Sequence, residues 1–152
     1  MDLLPVGTPV PTFSAVNQFG EHVGDTTLPG AAFLVFYPFA FSRVCTAELG
    51  VLQRNLSAFE DRGAAVLGVS VDHRFALRAY AAQEGLTFEL LSDFWPHGEI
   101  ARAFQCFDSQ HGRAGRATYL LTNGHIADAF FSAPGEPRPW ARYQQALASL
   151  PA

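Results

Sequence analysis

The hydrophobic pattern predicts an α/β domain, a central mixed β-sheet flanked by helices with a β-hairpin added at its N-terminal side. Three observations carry this reading. Ala31 to Tyr37 and Ala64 to Ser70 are apolar nearly throughout, as strands covered on both faces of a parallel sheet are. An amphipathic stretch follows each, Arg43 to Asp61 and then Arg74 to Glu84. Near the end, Asn123-Gly124 is a hairpin signal between two further strands.

The elements follow in order. After a proline-punctuated lead-in, Thr12 to Val16 alternates as a short strand, and Asn17-Gln18-Phe19-Gly20 turns it into a second near His22. Leu28-Pro29-Gly30 is a turn before the Ala31 strand, which Pro38 ends. In the first helix, Leu49, Leu52, Leu56 and Phe59 share one face, and Gly63 supplies the stop. The helix from Arg74 turns Leu77, Tyr80 and Ala81 inward and stops at Gly85. Phe88 to Leu91 reads as a short strand and Glu99 to Phe104 as a short helix. Thr118 to Thr122 and His125 to Phe131 form the hairpin. The last helix begins near Pro139 as a first-turn residue, with Trp140, Tyr143, Leu147 and Leu150 on one face. Parallel units first, then an antiparallel hairpin and a helix, is the order of a thioredoxin-like sheet.

At 152 residues the chain has the length of one domain, taken as 1–152. A domain of this size buries about 70% of its unfolded surface and needs no metal or disulfide staples. The composition, 49% hydrophobic and 16% charged, excludes a disordered chain. A net charge of −4, with ten arginines scattered and no lysine, argues against a nucleic-acid partner. The longest apolar run, Ala31 to Phe41, contains Pro38 and falls short of the ~20 residues a membrane span needs. Met1 to Pro5 lacks a basic segment leading into an apolar one, so a cytoplasmic protein is expected. Two cysteines, Cys45 and Cys106, make no disulfide framework and fit a reducing compartment. His22, His73, His97, His111 and His125 lack the spacing of metal ligands, so no metal is expected, and with neither a G-x-G-x-x-G nor a P-loop motif no cofactor is expected.

The chemistry concentrates at Cys45. It falls just inside the N-terminus of the first long helix, where unpaired amides and the helix dipole favour a thiolate. Ser42 is placed either to cap that helix or to hydrogen-bond the sulfur or a substrate oxygen. Pro38 closes the strand and shields one side, and Arg43 adds positive charge nearby.

Pro38-Phe39-Ala40-Phe41-Ser42-Arg43-Val44-Cys45, followed by Glu48, resembles the active-site motif of the peroxiredoxins. The resemblance extends to Arg116 at the start of a later strand and to Ser92-Asp93-Phe94-Trp95-Pro96-His97-Gly98, and is greatest to the one-cysteine AhpE-type branch. It departs in having Ser rather than Thr at 42, Arg at 43 and Gln105-Cys106-Phe107 after an aromatic. It implies a thiol-dependent peroxidase in which Ser42, the Cys45 amide and Arg116 hold the peroxide oxygens, while Glu48 orients Arg116 from behind. Cys45 would end as a sulfenic acid. The implied partners are a hydroperoxide, an external thiol reductant (thioredoxin, a glutaredoxin-like protein or a low-molecular-weight thiol) and a second copy of the chain.

Other readings stand beside this one. Cys106 matches no resolving position of the family, so it is either structural or a resolving cysteine at an unfamiliar place. The Trp95-Pro96-His97 segment reads as a packed loop near the site or as a dimer contact. A thioredoxin-type reductase needs C-x-x-C, where this chain has Cys45-Thr46-Ala47-Glu48. A redox-sensing or holdase module on the same fold is the non-enzymatic alternative.

Overall fold

The computed structural model describes residues 1–151. Nine strands and five helices follow one another. They are β1 (Ser14–Asn17), β2 (His22–Gly24), β3 (Ala31–Phe36), α1 (Arg43–Arg54), α2 (Leu56–Glu60), β4 (Ala64–Ser70), α3 (Arg74–Glu84) and β5 (Glu89–Ser92). Then come α4 (Glu99–Ala103), β6 (Phe107–Asp108), β7 (Arg113–Ala114), β8 (Arg116–Thr122), β9 (His125–Ser132) and α5 (Trp140–Ala148). Seven strands form one mixed sheet in the order β2-β1-β5-β4-β3-β8-β9. β3, β4 and β5 run parallel, while β8 pairs antiparallel with β3, and β1 with β5. The mixed sheet and its helices are those the sequence pattern predicts.

Strand alternation sends successive β3 side chains to opposite faces, which creates two cores. Phe33, Val35 and Tyr37 face a core built with Leu49 and Leu52 of α1, Phe59 of α2, Leu77 and Tyr80 of α3, and Tyr143 and Leu147 of α5. Ala32, Leu34 and Phe36 face the other, built with Phe13, Ile100, Phe104 and Tyr119. Fully burying an aromatic or leucine side chain contributes about 1.5–3 kcal/mol, so both layers matter to stability.

The strand over Ala64–Ser70 and the helix over Arg74–Glu84 fall where the sequence places them, the helix ending on left-handed Gly85 (φ 67°). Four details differ. The helix expected over Arg43 to Asp61 breaks at Asn55, whose side-chain amide donates to the Val51 carbonyl (2.8 Å), a local bond that competes with the helix ladder. The break leaves Phe59 buried and Leu56 only partly so. Pro139 stands at the N-cap position of α5, without a side-chain cap bond, instead of entering its first turn. The β6–β7 pair and a single 3-10 turn at Asp25–Thr27 are additional, and both are too short to show a period. Trp95 does not pack: it is 82% exposed.

Candidate active site

The site forms where β3 ends. Tyr37 N–H still donates to the Val69 carbonyl (3.0 Å), but Pro38 has no N–H and stops the ladder. Pro38 is buried. The chain then crosses a short loop in which Phe41 takes a left-handed conformation (φ 69°). Ser42 is extended and stands as the N-cap residue of α1. Its hydroxyl donates to the Phe39 carbonyl (3.0 Å), so it neither caps the helix nor reaches the sulfur in this state. Arg43 is exposed.

Cys45 is the third residue of α1 and fully buried. The first intrahelical bond runs from Thr46 N–H to the Ser42 carbonyl (3.0 Å). The amides of Arg43, Val44 and Cys45 therefore precede the ladder and remain available as donors. Glu48 lies one helical turn beyond Cys45 and projects from the same face.

Arg116 approaches from β8. Val35 of β3 pairs with Thr118, which brings the start of β8 beside the end of β3. The Arg116 Nη1 stands 3.2 Å from the Cys45 sulfur and 2.8 Å from Oε1 of Glu48, and Nε donates to the Pro134 carbonyl (3.0 Å). Three acceptors in fixed directions suit the rigid guanidinium fork. Arg116 and Glu48 are both buried, so this pair is shielded from screening by salt.

A second arginine completes the site, and sequence reasoning missed it. Arg138 lies in a proline-flanked loop between β9 and α5 and reads from sequence as one more surface arginine. It is buried, and its Nε and Nη2 grip Oε2 and Oε1 of Glu48 side by side, each at 2.9 Å. Its Nη1 donates to the carbonyls of Phe36 (2.7 Å) and Ala117 (2.8 Å), tying β3 to β8. Burial pushes the Glu48 carboxyl up, but the hydrogen bonds and charge of Arg138, with Arg116 behind them, outweigh this and hold it below its ordinary range. Two guanidiniums against one carboxylate leave one positive charge uncompensated, beside a Cys45 sulfur that accepts from Arg116 Nη1.

Of the residues singled out from sequence, Cys45, Glu48 and Arg116 thus meet directly. Pro38 and Ser42 border them without a bond to the sulfur. Cys106 stands apart: it packs in the second core while Cys45 packs in the first, so the sheet lies between the two thiols. Both are free. Burial, reinforced by the nearby Asp93 carboxylate, pushes the Cys106 thiol far up, so it stays protonated and a poor nucleophile. Among the described residues, no group of three or more His, Cys, Asp or Glu is placed to hold a metal ion. A cleft of about 540 Å³ near β4 and β5, lined by His22, Leu28, Glu60 and Glu89, includes none of the site residues.

The chain resembles known proteins along its length. The model of the AhpC/TSA family matches residues 6–129. Alkyl hydroperoxide reductase E of Mycobacterium tuberculosis is 39% identical, covering 99% of this chain and 100% of its own length. Among solved structures, Enterococcus faecalis AhpC superposes with a TM-score of 0.85 at 26% identity, covering 98% of this chain and 92% of its own. Peroxidoxin BcpB from Mycobacterium tuberculosis does so with a TM-score of 0.81 at 25% identity, covering 95% of each chain. The thioredoxin-like fold follows from these neighbours, and with the family match and the end-to-end relative, the chain belongs to the AhpC/TSA family of thiol-dependent peroxidases, the peroxiredoxins.

Proposed function

We propose that the chain reduces hydrogen peroxide and organic hydroperoxides through Cys45, by a one-cysteine mechanism. The Cys45 thiolate attacks the terminal oxygen of ROOH; an S–O bond forms as the O–O bond breaks. Cys45 becomes a sulfenic acid, and the leaving RO⁻ takes a proton from water to give ROH. Charge grows on the leaving oxygen, so fixed donors aimed there lower the barrier. Arg116, the free amides at the start of α1 and the Ser42 hydroxyl (turned from Phe39) are the donors within reach. Glu48 and Arg138 hold the Arg116 fork in place.

An external thiol R′SH then attacks the sulfenic sulfur, releasing water and leaving a mixed disulfide. A second thiol frees Cys45 and carries away R′SSR′. Thioredoxin, a glutaredoxin-like protein and a low-molecular-weight thiol all supply this chemistry. The sheet between Cys45 and Cys106 supports the one-cysteine reading. The observation that carries the proposal is the 3.2 Å contact from Arg116 Nη1 to the Cys45 sulfur, braced by Glu48. The name of the 39%-identical relative, alkyl hydroperoxide reductase E, supports the organic hydroperoxide class.

Two further features belong to this reading. A homodimer is the proposed assembly, supported by exposed aromatics: Phe41, Phe75, Phe94 and Trp95. The reducing cytoplasm is the proposed location, supported by two free cysteines. No helix among the described residues is long and apolar enough to cross a membrane. Peroxide consumption with dithiothreitol as reductant tests the activity. Turnover by the wild-type chain, lost in Cys45→Ser, is expected, and equal turnover by both refutes the assignment.

A further inference from the structure

We infer that Asp72 and Tyr80, which make no hydrogen bond to Cys45 or Arg116, are positioning residues that hold the Cys45 loop in its peroxide-accepting shape. The inference rests on the peroxidase reading above.

Between Pro38 and α1 the backbone leaves the sheet, so something other than the ladder must hold it. Asp72, just past the end of β4, supplies one anchor: its Oδ2 accepts the Ala40 N–H (2.8 Å) and the Ser70 hydroxyl (2.7 Å). Asp72 is itself fixed, because the Ser92 hydroxyl donates to its carbonyl (2.6 Å). Tyr80 of α3 supplies the second anchor. Its buried ring packs against Phe41 with centroids 4.9 Å apart, under the one loop residue in the left-handed region. Its hydroxyl bonds the Thr46 hydroxyl (2.9 Å), on the residue after Cys45. The loop is thus gripped before and after the nucleophile by one continuous segment, β4 to α3. Donors that act on a transition state work only within tenths of an ångström of their place. Loosening either grip therefore slows peroxide attack while leaving the sulfur and its arginine present.

The test compares two reactions of the same reduced full-length chain: oxidation by hydrogen peroxide and alkylation by iodoacetamide, which needs no aligned oxygen donors. For Asp72→Ala the peroxide rate constant falls at least about tenfold, whereas the pH midpoint of Cys45 alkylation stays within a few tenths of the wild-type value. Asp72→Asn keeps an acceptor for the Ala40 N–H and recovers a rate within about threefold of wild type. A smaller loss in Asp72→Ala, a midpoint that moves with it, or an Asn variant as slow as Ala overturns the inference. Failure of the wild-type chain itself to react with peroxide overturns the underlying peroxidase reading, and it is seen without any variant. If Asp72→Ala does not fold, Tyr80→Phe and Thr46→Val each remove one end of one hydrogen bond. Equal losses that do not add in the double variant are expected; no loss, or additive losses, overturn the inference.

Discussion

Nη1 of Arg116 lies 3.2 Å from the Cys45 sulfur and 2.8 Å from Oε1 of Glu48, so one nitrogen links the thiol to a carboxylate one helical turn away. Pulled by both, the guanidinium has little freedom to leave the sulfur. Arg138 grips both oxygens of the same carboxylate.

Arg116→Ala is expected to keep the fold and lower the rate constant for peroxide by about 10²–10³, the usual effect of removing one donor to a developing oxyanion. Arg116→Lys restores the charge but not the fork, since one ammonium cannot reach the sulfur, Glu48 and the Pro134 carbonyl in their observed directions. Competition kinetics against a reference peroxide scavenger measure both. A lysine variant as fast as wild type contradicts the geometric role.

Glu48→Gln strands two buried guanidiniums, and breaking a buried pair in this way costs about 3–5 kcal/mol. Its pH signature follows from the lowered carboxyl. The folded pKa lies below the ordinary value of 4.5, so Glu48 contributes stability above that value and loses it as pH falls through the folded pKa. Urea titrations should show wild-type stability dropping on acidification below about pH 4.5, and Glu48→Gln lacking that part of the drop. Parallel curves for the two proteins contradict the ion network.

Cys106→Ser is expected to leave single-turnover oxidation of Cys45 unchanged, because the sheet separates the two residues. A hydroxyl in an apolar core without a partner costs roughly 1–3 kcal/mol, so stability falls while chemistry does not. Rapid-quench oxidation and a thermal melt on the same sample separate the two effects. A large drop in the oxidation rate contradicts this placement.

Trp95→Asp is expected to shift the chain toward monomer in sedimentation velocity, with its helical circular dichroism intact. Trp95 is 82% exposed, so the substitution disturbs no core. An unchanged dimer places the interface elsewhere, and a monomeric wild type removes the dimer proposal.

The strands and helices of the parallel half were legible because burial on two faces leaves continuous apolar runs, and β4 and α3 match the sequence reading residue for residue. The helix break was not legible, since Asn55 departs from the helix through its own side chain while the apolar spacing continues past it. At the site, Cys45 and Glu48 stood out in the run that begins at Pro38 and resembles the peroxiredoxin motif, and Arg116 stood out by its place at the start of a later strand. Arg138 did not, because its role depends on a contact 90 residues away with Glu48, and no local pattern marks a buried arginine between two prolines. Trp95 had two readings, a packed loop or a dimer contact, and its outward-facing ring leaves the second.

Intact mass spectrometry of the fully reduced protein after one equivalent of hydrogen peroxide, with peptide mapping, tests the central assignment most directly. One added oxygen on Cys45, trapped by dimedone, is the expected result. Loss of two hydrogens with a Cys45–Cys106 link, or no change at Cys45, contradicts it.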